Sequence, residues 1–163
     1  MFSQTAEYAL RIVAHLAAIG DKAATTREIA AATRVPEGYL AKVIQSLSRG
    51  GIVRSQRGPG GGSVLARPAE QLTIYDVVQA VDPIRRITSC PLGLKSHGSA
   101  LCPVHRRLDD ALALVERAFR DSTIAGLLSE PSRSKPLCDV AGSDRSAPVA
   151  LTVKRQRGAA RTH

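Results

Sequence analysis

Residues 35–67 read "VPEGYLAKVIQSLSRGGIVRSQRGPGGGSVLAR", and the pattern changes period midway. From Pro36 the apolar residues fall at Leu40, Val43, Ile44 and Leu47, the spacing of one helix face. Pro36 suits a first-turn position, and the pair Gly50 and Gly51 ends the helix. Two short extended runs follow, residues 52–56 and 63–66, joined by "RGPGGG". A helix that feeds a glycine-turned hairpin is thus predicted.

Upstream, "TTREIAAAT" at 25–33 opens with a capping box, in which Thr25 caps and Glu28 reaches back. A tight turn near Arg34 and Val35 separates this helix from the next. A first helix over residues 3–19 carries Ala6, Leu10, Val13, Leu16 and Ala17 on one face. Three helices followed by a hairpin is the order of a winged helix-turn-helix, so the expected fold class is mainly α with a small β-wing.

Downstream, Thr73 caps a helix over 73–81 that Pro83 stops. A long helix over 103–121 shows a narrow stripe of Leu108, Ala111, Leu112, Val115 and Phe119 with charges elsewhere. A short helix ends at Pro131. The expected units are a DNA-binding domain over 1–82, a Cys/His loop with a dimerisation helix over 83–130, and a basic, disordered tail over 131–163 that includes Cys138.

The formal charge is +9, of which residues 131–163 hold seven Lys/Arg against two Asp/Glu, leaving +4 on the rest. That balance suits a polyanionic partner. No apolar run approaches the ~20 residues of a membrane span. The first twenty residues are interrupted by Glu7, Arg11 and His15 and lack a basic start, so they read as a folded helix, not a signal peptide. Three cysteines make an unlikely disulfide framework, and the expected compartment is the cytoplasm.

Helical phase exposes Glu37, Gly38, Tyr39 and Lys42 at the start of the third helix, where a groove-reading helix makes its base contacts. Arg57 heads the hairpin loop and suits a minor groove, with Arg49, Arg54 and Arg67 as phosphate contacts. A nucleotide-binding glycine loop is excluded, since no Lys-Ser/Thr follows and the loop leads into a strand.

Residues 90–105, "CPLGLKSHGSALCPVH", gather Cys90, His97, Cys102 and His105 in an irregular loop. Thiolate and imidazole are ligands for zinc or an iron–sulfur cluster. A tetrahedral Zn²⁺ on all four is the cleanest chemical fit, a reversible Cys90/Cys102 disulfide is a second, and incidental loop residues a third. Enzyme chemistry fits poorly, because the loop has no carboxylate placed as a general base and no C-x-x-C dithiol. A winged-helix module for protein partners is the remaining rival.

With "TAEYALRIVAHLA", residues 35–67, "LTIYDVVQAVD" and the cysteine loop in this order, the chain resembles the Rrf-two-type family of bacterial winged-helix regulators over roughly residues 1–130. The resemblance implies a homodimeric repressor or activator, of which repressor is the expectation here, whose long helices cross and whose two heads read a palindromic operator in double-stranded DNA. By position it assigns Tyr39 and Lys42 to the recognition helix and Arg57, Gly58, Gly60, Gly61 and Gly62 to the wing. The family often has Glu-Gln after Tyr-Leu, where this chain has Ala41 and Lys42. Cluster-binding members usually carry three loop cysteines. Here the first and third match Cys90 and Cys102, a following His matches His105, and Ser96 stands at the middle position beside His97. The acidic residue that one branch uses falls on Glu7. The implied ligands are therefore Cys90, Cys102, His105 and either His97 or Glu7, a mixed set that favours 2Fe–2S, with zinc the alternative.

Overall fold

The computed structural model describes residues 2–93 and 101–131. Its elements in order are α1 (Gln4–Ile19), α2 (Thr26–Thr33), α3 (Glu37–Arg49), β1 (Val53–Gln56), β2 (Gly62–Leu65), a 3₁₀ turn (Ala69–Gln71), α4 (Ile74–Val81), α5 (Pro103–Arg120) and α6 (Ile124–Ser129). The winged helix expected from the order of periods is present. Each strand begins one residue from its expected start. Pro36 is the N-cap of α3 instead of lying in its first turn.

Local chemistry explains the boundaries. Ser3 caps α1 by accepting from the Ala6 amide. Thr25 and Glu28 form the capping box of α2, and Thr73 and Asp76 form a second one at α4. Arg34 takes a left-handed φ of 56°, which turns the chain between α2 and α3. The inward faces of α1 and α3 then meet around Ile12, Val13, Leu16, Leu40, Val43 and Leu47, all at most 1% exposed. Burial of such side chains supplies about 1.5–3 kcal/mol each, so this contact, not helix propensity, fixes the angle of α3.

The wing is more than a hairpin. β1 and β2 pair antiparallel, Val53 with Leu65 through Gln56 with Gly62. Ala24 adds a third extended position by pairing with Ser63, with N–O distances of 3.1 and 2.7 Å. The wing is thereby tied to the start of α2.

The chain returns to this core at its end. Ile124 is 1% exposed among the core side chains, and Thr73 bridges Thr123. The Ile74 amide donates to the Ser122 carbonyl and the Ile124 amide to Leu72, at 3.0 and 2.8 Å. α6 thus packs with the head built by the first 82 residues, against α1 and the 3₁₀ turn. α5 differs from the other helices, because it has no buried residue and touches the head through α4 and a Phe119 contact with Phe2, rings 4.9 Å apart. Among the described residues no helix is long and apolar enough to cross a membrane. The tail beyond residue 131, with Cys138, lies outside them.

Candidate nucleic-acid interface and cysteine segment

The exposed side of α3 and the outer strand of the wing border one groove of about 550 Å³. Its lining includes Thr26 at the start of α2, Ala41, Gln45, Ser48 and Arg49 of α3, and Gln56 of β1. Small and polar side chains dominate, with Ile44 the one large apolar residue on its wall. Sequence reasoning missed Thr26, Ala41, Gln45, Ser48 and Gln56. The signal was available for the α3 residues, because 41, 45 and 48 follow the helical phase opposite Leu40, Val43 and Leu47.

Glu37, Gly38 and Lys42 are exposed, as helical phase leads one to expect, and Arg49, Arg54, Arg57, Gly58 and Gly60 are exposed as well. Arg49 reaches back to the Ser46 hydroxyl at 3.5 Å. Arg67 is exposed and lies 4.0 Å from the Asp76 carboxylate at the base of the wing.

Tyr39 is not on the open side. Its ring is half-buried, edge-on to Tyr8 at 5.8 Å between centroids, and its hydroxyl shares a 2.7 Å hydrogen bond with Thr5. The α1 helix crosses over the first turn of α3 and covers a position that helical phase alone leaves bare.

The wing glycines also divide. Gly58 has a φ of 106° in open space. A Cβ on Gly61 would lie 2.5 Å from the Gln56 carbonyl oxygen, and one on Gly62 would lie 2.3 Å from that of Ala24. These two are glycine because the wing's own backbone passes there.

In the cysteine segment, Cys102 is the N-cap residue of α5, and its Sγ lies 3.2 Å from Nδ1 of His105 on the first turn. A sulfur and an imidazole nitrogen bound to one tetrahedral ion stand about 3.6 Å apart, given metal bonds of about 2.3 and 2.0 Å. At 3.2 Å the pair is within that spacing and is joined by a thiol–imidazole hydrogen bond. Cys90 is half-buried, and no disulfide joins it to Cys102. Among the described residues no three His, Cys, Asp or Glu side chains converge as a metal site. His97 and Ser96 lie outside the described residues. Glu7 is exposed and pairs with Arg11 on its own helix, and Arg11 also reaches the Thr33 carbonyl at 3.5 Å. His15 is half-buried, and desolvation holds its imidazole below the usual pKa against the opposing charge of Glu28.

Comparison with known proteins agrees with this architecture. A family model described as "Rrf2: Iron-dependent Transcriptional regulator" matches residues 2–130. An HTH-type transcriptional regulator, so described by class, from Aquifex aeolicus is 31% identical over 132 residues, covering 79% of this chain and 92% of that protein. One from Mycobacterium tuberculosis is 34% identical over 142 residues, 86% of this chain and 80% of that one. Among solved structures, CymR, the global cysteine regulator of B. subtilis, superposes with a TM-score of 0.66 at 26% identity, covering 81% of this chain and 98% of CymR. IscR of T. potens gives 0.65 at 20% identity, covering 82% and 93%, a likeness of fold.

Proposed function

The chain belongs to the Rrf2 family of transcriptional regulators, and we propose that it represses transcription as a homodimer that binds a palindromic site in double-stranded DNA. The observation that carries the reading is the single groove shared by α3 and the wing. An α-helix fits a major groove, and Arg49 lines this one from α3, with Lys42 exposed on the same helix and Arg54 and Arg57 exposed on the wing. Glu37 is the one acid among the proposed contacts. Tyr39 supports the interface indirectly, by fixing the start of α3 against α1. Gly58 and Gly60 let the loop backbone approach the DNA, while Gly61 and Gly62 hold the wing's shape.

Dimerisation is supported by α5, an eighteen-residue helix with no buried residue. Val104, Leu108 and Leu114 are 65%, 51% and 66% exposed, an apolar side without a cover among the described residues.

The same reading makes residues 90–105 the sensing segment. Cys90, Cys102 and His105, joined by His97 or by Glu7 of a second copy, would hold an iron–sulfur cluster of the 2Fe–2S type, with zinc the alternative. Such a group supplies a soft centre that is lost or altered by oxidants. This chain's part would be to present Sγ of Cys102 and Nδ1 of His105 together, and their 3.2 Å separation supports that reading. The family and these relatives are regulators, not enzymes.

The test is anaerobic purification of the full chain, followed by iron, sulfide and zinc analysis, a visible spectrum, and duplex gel shifts before and after chelation. Coloured protein with matched iron and sulfide is expected, with the colour absent in Cys102→Ala and duplex affinity changed on chelation. Colourless protein with stoichiometric zinc would replace the cluster by zinc. Metal-free protein after reconstitution would overturn the sensor and leave the DNA-binding groove standing.

A further inference from the structure

A charged cluster lies outside the proposed DNA interface, where the chain leaving α4 runs against α5. Both oxygens of Asp109 receive the Arg86 guanidinium, Nε to Oδ1 at 2.7 Å and Nη2 to Oδ2 at 2.6 Å. The Ile87 amide also donates to Oδ1, at 2.8 Å. Arg86 further approaches Glu116 at 3.8 Å, and Glu116 holds Arg120, whose guanidinium lies 3.5 Å over the Tyr75 ring of α4. Gln79 of α4 donates to the Ile84 carbonyl at 3.2 Å. The segment after α4 is therefore clamped to α5 at residues 86 and 87, before the cysteines begin.

The place of the clamp sets where Cys90 can go. An α-helix rises ~1.5 Å per residue, so Cys102 lies about 10 Å along α5 from Asp109. Cys90 is the fourth residue after Arg86, and four extended residues span at most ~14 Å. With Arg86 fixed at Asp109, Cys90 has the reach to meet Cys102 and His105 and little reach beyond. Without the clamp, only the eleven residues between Cys90 and Cys102 tie the two thiols together.

We propose that Asp109 is the positioning residue of the cysteine segment: by clamping Arg86 and the Ile87 amide onto α5, it raises the effective concentration of the Cys90 thiol at Cys102 and His105. Its biological use rests on the sensing role proposed for residues 90–105, whereas the geometry does not.

The experiment measures that effective concentration directly, in full-length protein carrying Cys138→Ala. In glutathione redox buffer the Cys90 and Cys102 thiols close to a disulfide. Their two electrons and two protons pass to glutathione disulfide, which is released as two glutathione thiols. Asp109→Asn and Arg86→Gln should each lower the effective concentration by about threefold to tenfold. Arg85→Gln, at the exposed neighbour, should leave it unchanged. Thermal unfolding of the reduced proteins identifies any variant that fails to fold, and the two variants break the clamp from opposite sides. Unchanged values in both would overturn the proposal, as would a wild type that forms only mixed disulfides with glutathione. Failure of the sensing role would appear elsewhere, as a wild-type duplex affinity indifferent to the state of the two thiols.

Discussion

Gly62 and Arg57 belong to one hairpin and answer to different forces. A side chain at Gly62 would meet the Ala24 carbonyl oxygen at 2.3 Å, so the residue is dictated by the fold. Arg57 is exposed at the turn and no packing requires it. Arg57→Ala should therefore weaken duplex binding by about tenfold to a hundredfold at fixed salt while the melting temperature and oligomeric state stay as in the wild type. A gel-shift titration showing unchanged affinity would refute the wing contact. The sequence displays "RGPGGG" as a unit, and only the contacts with the Gln56 and Ala24 carbonyls tell which glycines serve shape. Tyr39 teaches the same lesson: its phase on α3 was legible, but the crossing of α1 above it was not.

At the level of elements, helices were legible wherever a cap and a 3.6-residue period coincided, as at Thr25 with α2 and Thr73 with α4. Strand starts moved by a residue, since a four-residue strand has too little period to fix its ends. The destination of α6 was hidden, because a short apolar run does not name the surface it packs on. The clamp between the α4–α5 segment and α5 was hidden too, as it joins charges 23 positions apart. It has a thermodynamic signature. Hydrogen bonds from Arg86, then from the Ile87 amide, hold the Asp109 carboxyl down to about 2. Its ordinary value is 3.8, so between these limits the unfolded chain binds the extra proton and acid favours unfolding. The clamp's stabilisation is fully present above about pH 4 and lost as pH falls toward 2. Acid unfolding of Asp109→Asn should lack that part of the wild-type pH dependence. Superimposable profiles would show that the clamp does not contribute.

For the whole molecule, the proposed dimer rests on the exposed apolar side of α5. Leu108→Glu places a charge on that side and should raise the dimer dissociation constant by at least about tenfold, measured by sedimentation. The secondary structure of each head should persist, since Leu108 is not in its core. A fully dimeric variant would move the seam elsewhere. The long helix itself was visible in the sequence, from the narrow apolar stripe over residues 103–121 with charges elsewhere. The joint between helix and head was not, and its position has a mechanical consequence. Main-chain bonds at residues 122 and 124 root the C-terminal end of α5 in the head, while Cys102 stands at the opposite end, about 27 Å away at the usual helical rise. α5 is thus a lever with its fulcrum inside the DNA-reading body. A displacement of about 3 Å at the cysteine end corresponds to a tilt of only about 6° over that length, so in the proposed dimer a chemical change too small to disturb either core would reset the spacing of the two heads.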